Sequence, residues 1–115
     1  FSKPQRQDSR KENKEIYYAV RAHLDNTFQQ EHSLNGLARQ FGINEFKLKK
    51  GFRETFNTTV FTYLFDRRMD HARQLLLDSQ VNVSEVSRKV GYKNANHFST
   101  AFKNKFGVSP ASLKN

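Results

Sequence analysis

The sequence predicts an all-α protein of about seven helices: two helix-turn-helix subdomains joined by a long central linker helix. Three observations predict it. Leu37-Ala38-Arg39-Gln40-Phe41-Gly42 returns as Val86-Ser87-Arg88-Lys89-Val90-Gly91. After each glycine a short polar step leads into three apolar residues at four-residue spacing. These are Leu48, Phe52 and Phe56 in one copy and Phe98, Phe102 and Phe106 in the other. No segment alternates apolar and polar residues as a half-buried strand would.

Taken in order, residues 1–13 are polar, carry Pro4 and have little to bury. They read as a flexible leader or linker, and Phe1 is not a natural start, so a fragment of a longer chain is expected. Ile16, Val20, Leu24 and Phe28, with Lys14, Glu15, Arg21 and Asp25 between them, describe an amphipathic helix. Ser33 caps the next helix, whose buried side is Leu34, Leu37, Ala38 and Phe41, and Gly42 stops it. Asn44 caps a third helix, with Ile43 and Leu48 placed as a hydrophobic staple. Asn57 takes its C-terminal position, where Asn is the next best residue to glycine. The first subdomain is therefore 14–58.

Thr59 caps the linker helix, 59–78, whose apolar face is Phe61, Leu64, Phe65, Ala72, Leu75 and Leu76. Residues 79–115 then repeat the scaffold. Asn82-Val83-Ser84-Glu85 has the spacing of a capping box, with Asn in place of Ser or Thr. Gly91 ends that helix, Asn94 caps the next and Gly107 stops it. Ser109-Pro110 is an N-cap followed by Pro at the first helical position, opening a short last helix. Gly51 inside the third helix costs about 1 kcal/mol relative to Ala, which points to close helix packing.

The repeated unit follows from steric need. Where two helices cross steeply, one residue must be small, and Ala38 and Ser87 fill that place. Four residues later the turn needs a positive φ, which Gly42 and Gly91 supply. The offset between copies is 49 residues at the glycines and 50 from Leu48 to Phe98, so the second turn is one residue longer.

Charge narrows the partner. The chain has 20 Lys and Arg against 11 Asp and Glu, a formal charge of +9. That excess favours an anionic partner, nucleic acid first and an anionic membrane second. No apolar run approaches the roughly 20 residues needed to span a bilayer, and no segment reads as a secretory leader. The absence of cysteine excludes disulfides and thiolate metal sites and fits a reducing cytoplasm. His23, His32, His71 and His97 have no metal-ligand spacing. No nucleophile, base and metal set converges, so neither an enzyme nor a cofactor is expected.

At 100° per residue, Phe46, Lys50 and Arg53 lie opposite the first stripe, with Lys49 beside them and Glu45 at the rim. Opposite the second lie Asn96, Thr100 and Lys103, with Ser99 beside them, His97 at the rim and Ala95 at the helix start. If the partner is duplex DNA, lysine suits a guanine edge or phosphate, Asn suits adenine, and Phe46 or Thr100 suits a thymine methyl. The candidates for base contact are Glu45, Phe46, Lys49, Lys50, Ala95, Asn96, His97, Ser99 and Thr100. Arg53 and Lys103, with the caps Ser33 and Asn82, are the candidates for phosphate. The bland readings stand beside these. Phe46 can simply cover its helix start, the Lys49–Arg53 face can be merely solvated, and Asn96 can be bonded to its own helix start. A linker helix of about 19 residues spans roughly 28 Å, close to the roughly 34 Å between successive faces of a major groove. It would act as a rod between two readers.

These residues resemble the DNA-binding domain of the AraC/XylS family of bacterial transcription regulators, over about Leu34 to Leu113. "VSEVSRKVGYKNANHFSTAFKNKFGVSP" is similar to that family's second helix-turn-helix. "YLFDRRMDHARQLL" resembles its linker helix, with Arg68, Ala72 and Leu75 at matching positions. "LKKGFRETFNTTVFTYLFDRRM" is similar to members that govern siderophore uptake. Asn57 departs from the family's usual glycine. The resemblance implies a cytoplasmic, nucleoid-associated activator that binds asymmetric promoter DNA. It also implies RNA polymerase as a partner, an effector held by a separate N-terminal domain, and no membrane. The competing reading is a basic helical interaction module for an acidic protein or a membrane surface.

Overall fold

The computed structural model describes residues 2–78 and 80–114, with side chains from residue 14 onward. Among the described residues every regular element is helical: α1 (Ser2–Thr27), α2 (Leu34–Gln40), α3 (Glu45–Phe56), α4 (Val60–Asp78), α5 (Val83–Lys89) and α6 (Ala95–Phe106). A 3-10 turn, Pro110–Leu113, follows. Helix α1 begins at Ser2, within the stretch 1–13 read as a leader; the side chains of that stretch lie outside the described residues. The chain forms two compact units. One comprises Phe1–Thr27 and His32–Tyr63, the other Phe28–Glu31 and Leu64–Asn115. The division therefore falls inside the linker helix, and four residues after α1 belong to the second unit.

The helix ends are set by the residues the sequence places there. Ser33 Oγ accepts from the Gly36 N–H at 2.9 Å, and Asn44 Oδ1 from the Lys47 N–H at 2.8 Å. Asn82 Oδ1 accepts from the Glu85 N–H at 2.9 Å. Asn94 Oδ1 accepts from the N–H groups of Asn96 and His97 at 2.8 and 3.1 Å. Each satisfies donors that the first turn of a helix leaves unpaired, worth about 1 kcal/mol per cap. Asn57 ends α3 in the left-handed region at φ 58°.

In the first unit the buried side chains are Tyr17, Val20 and Leu24 of α1, Leu37 and Ala38 of α2, Leu48 and Phe52 of α3, and Val60. In the second, one core cluster is Met69, Ala72, Leu76, Val86, Val90, Phe98 and Phe102, and Leu64, Ser87 and Pro110 are also buried. Full burial of each Leu or Phe contributes about 1.5–3 kcal/mol. The stripe phenylalanines are thus core, and Phe56 and Phe106 close their ends half-buried, 4.8 Å from Phe52 and 4.7 Å from Phe102 between ring centroids.

Two departures concern α4. Phe61 is 47% exposed, although it was expected on the buried face. Val60 and Leu64, four apart, take that face at the helix start, and Phe61 is rotated about 100° away from Val60. Met69, which the sequence reading passes over, is fully buried four residues after Phe65 and three before Ala72.

Both helix-turn-helix turns begin alike. The Ile43 N–H donates to the Ala38 carbonyl at 3.0 Å, and the Tyr92 N–H to the Ser87 carbonyl at 2.9 Å. Gly42 and Gly91 sit at φ 71° and 100°. Ile43 is followed at once by the cap Asn44, whereas Lys93 intervenes between Tyr92 and the cap Asn94. Lys93 is therefore the extra residue of the second turn.

Candidate nucleic-acid interface

Helix α3 packs on α1 through its back and turns its other face to solvent. The Tyr17 hydroxyl donates to the Lys47 carbonyl at 2.9 Å, so the phenol lies across the back of α3. A Cβ on Gly51 would stand 1.9 Å from Tyr17 Cζ. Gly51 is thus explained by packing, as the sequence suggests. Burial, and secondarily Glu54, raise the Tyr17 pKa above the ordinary tyrosine value.

On the outward face Glu45, Phe46, Lys49, Lys50 and Arg53 are all exposed. Phe46 is 71% exposed. Lys50 Nζ lies 5.9 Å from its ring centroid, within reach of a weak cation–π attraction. One groove of about 560 Å³ is lined by Leu34, Phe46, Lys49, Lys50, Arg53, Thr59, Val60 and Phe61. A second, of about 430 Å³, is lined by Lys14, Tyr17, Phe46, Lys47, Lys50, Gly51, Glu54 and Thr55. Phe46 and Lys50 line both and form the ridge between them. Glu45 stands in the first turn of α3 and Arg53 in its last, each favourable to the helix dipole.

On α6, Asn96, His97, Thr100 and Lys103 are exposed, while Ala95 and Ser99 are half-buried. The cap is Asn94, so it is not the Asn96 side chain that closes the helix start. Lys105 Nζ donates to Asp66 Oδ1 at 2.7 Å, whereas Lys103 stands on the outward face. The oxygens of Ser33 and Asn82, both phosphate candidates, accept from their own helices; the Ser33 hydroxyl and the Asn82 amide still offer donors.

Phe61 and Thr59 enter the first groove although the sequence reading assigned neither to the site. Thr59 Oγ1 accepts from the Thr62 N–H at 3.0 Å at the start of α4, and Thr59 and Val60 line the groove together with Arg53. Among the described residues no three His, Asp or Glu gather as a metal site, and no helix is long and apolar enough to cross a membrane.

Four side-chain caps, two glycine turns and two exposed helix faces define a tandem helix-turn-helix domain of the nucleic-acid-binding class. A family model described as a helix-turn-helix domain matches residues 37–115, and the chain belongs to this AraC-type family of DNA-binding transcription-regulator domains. The HTH-type transcriptional activator RhaS of Escherichia coli O139:H28 is 30% identical over 93 residues, which are 81% of this chain and 34% of RhaS. The C-terminal domain of AraT, a response regulator from Geobacillus stearothermophilus, matches at 28% identity and a TM-score of 0.82, covering 86% of this chain and 83% of that one. The DNA-binding domain of AdpA, a global transcriptional factor solved in complex with a target DNA, shares the fold at 22% identity and a TM-score of 0.78, covering 84% and 86%. The chain spans about a third of the length of the curated relatives it matches.

Proposed function

We propose that this domain reads one asymmetric promoter site, with α3 in one major groove and α6 in the next. The observation that carries the reading is that the scaffold is repeated while the exposed faces differ. Phe46, Lys49, Lys50 and Arg53 stand on one. Asn96, Thr100 and Lys103 stand on the other. An amide can pair with the two polar atoms of an adenine edge, and lysine with guanine or phosphate. Phe46, on the ridge between two grooves, suits a thymine methyl. Arg53 and Lys103, nearer the ends of their helices, suit phosphate, with Ser33 and Asn82 as helix-start donors. We read the whole protein as a cytoplasmic, nucleoid-associated regulator, and as an activator in keeping with RhaS, which is named a transcriptional activator. It would engage RNA polymerase and take its effector through a separate N-terminal domain.

Fluorescence anisotropy tests the reading. A preferred duplex is expected to bind at least ~10³-fold more tightly than random duplex, with a steep dependence on salt. Asn96→Ala should weaken that site by about 1–3 kcal/mol and relax one base position, and Arg53→Ala should weaken all sequences alike and lower the salt slope by about one. An affinity for DNA that survives truncation of Lys49, Lys50, Asn96 and Thr100 would favour the interaction-module reading instead.

A further inference from the structure

The two turns differ in what stands behind them. A Cβ on Gly42 would meet nothing within 4 Å. A Cβ on Gly91 would meet the Gln29 carbonyl oxygen at 2.6 Å and its Cα at 3.0 Å. The next residue, Tyr92, has its ring 6.0 Å from the Arg68 guanidinium. Arg68 Nε–H donates to the Phe28 carbonyl at 2.6 Å, and its Nη2 group to the Gln30 carbonyl at 2.8 Å. The residue after that, Lys93, pairs with Glu31 at 3.0 Å.

Three consecutive turn residues therefore meet the segment Phe28–Glu31, directly or through Arg68. The last of them is the extra residue of the second turn. These contacts are unequal. The Lys93–Glu31 pair is 85% and 84% exposed, and such pairs contribute little. The Arg68 fork holds two carbonyls from a half-buried position, and hydrogen bonds from a charged donor are the stronger kind. Partial burial lowers the Arg68 pKa, and the guanidinium remains charged. Tyr92 carries the contact onward: its ring packs edge-on against Phe98 of α6 at 5.6 Å between centroids.

We propose that Phe28–Glu31, gripped by Arg68, is a brace that sets the pose of α6, so that Arg68 is a positioning residue for the second reading helix. Behind Gly42, by contrast, no described atom stands within 4 Å of a Cβ, and α3 is held from behind by Tyr17. The proposal rests on the reading of α6 as a DNA reader.

The test uses the duplex selected by the wild-type domain and two derivatives, one with the α3 block scrambled and one with the α6 block scrambled. Discrimination is the ratio of affinities for the intact and scrambled duplexes. Arg68→Lys keeps the charge and gives up the fork. It is expected to lower discrimination at the α6 block by about tenfold and to leave the α3 block unchanged. The double variant Gln29→Gly/Gln30→Gly loosens the segment without removing a buried side chain, since both residues are exposed, and should show the same pattern. Amide NMR spectra report the folding of each. Unchanged discrimination at the α6 block in the folded variants, or an equal loss at both blocks, overturns the proposal. A wild-type domain that selects no duplex defeats the DNA reading itself, and the brace with it; one that selects both blocks leaves the variants to judge the brace alone.

Discussion

The ring of Tyr17 fills the space that a Cβ on Gly51 would need, at 1.9 Å from Tyr17 Cζ. This one relationship ties α1 to the back of the first exposed helix. It also makes the helix-weakening glycine necessary. Gly51→Ala should therefore destabilise the domain by about 1–3 kcal/mol through overpacking. In a Tyr17→Leu background the same change should stabilise by up to about 1 kcal/mol, because the ring is gone and Ala is the better helix former. Urea unfolding of the four proteins in this cycle measures the reversal, and additive effects would deny the contact its role.

The two turn glycines should respond differently to alanine. Gly42→Ala meets only the left-handed backbone penalty, about 1–2 kcal/mol. Gly91→Ala meets that penalty and the Gln29 backbone at 2.6 Å, so it should cost about 1–3 kcal/mol more. Equal shifts in urea midpoint would place the Phe28–Glu31 segment away from the second turn.

Ser87 occupies the crossing position that Ala38 fills in the first copy. It is 1% exposed, and its hydroxyl oxygen meets no hydrogen-bond partner among the described residues. A buried polar group left unpaired costs about 1–3 kcal/mol. Ser87→Ala should accordingly raise the stability of the domain by about 1 kcal/mol in thermal or urea unfolding. A loss of stability would mean that the hydroxyl is satisfied.

Burial raises the pKa of both Tyr17 and Tyr92 above the ordinary tyrosine value, with Glu54 adding to the first and Arg68 opposing the second. A phenol whose pKa is raised by folding favours the folded state fully below its unfolded pKa. That preference is lost as pH rises through the folded one. Stability should therefore fall on the alkaline side, above the range where free tyrosine ionises. Comparing phenolate absorbance of the domain with that of its Tyr17→Phe and Tyr92→Phe variants should show these two residues ionising above the ordinary tyrosine range. Ionisation of Tyr17 and Tyr92 within the ordinary tyrosine range would contradict their burial.

Much of the scaffold is legible in the sequence because its signals are local. The caps Asn44 and Asn94, the turn glycines and the left-handed Asn57 act within four residues of themselves. The bounds of α3 and α6 follow from them. The outward faces follow equally from 100° per residue, since Leu48, Phe52, Phe98 and Phe102 fix what points inward. The rest depends on contacts distant in sequence. That Phe61 faces solvent depends on Val60 winning the inward place. The partner of Gly51 lies on another helix. The grip of Arg68 on the Phe28 carbonyl spans 40 residues, and neither end carries a local sign of it. The extra residue of the second turn is visible in the repeat offset, but the segment it meets is not.

Selection of duplexes from a randomised pool by the isolated domain tests the central claim most directly. Reading by both α3 and α6 predicts one enriched, asymmetric site made of two blocks about one helical turn apart. Lys50→Ala should change only one block, and Asn96→Ala only the other. A pool that stays random, or a single block indifferent to both variants, would contradict it.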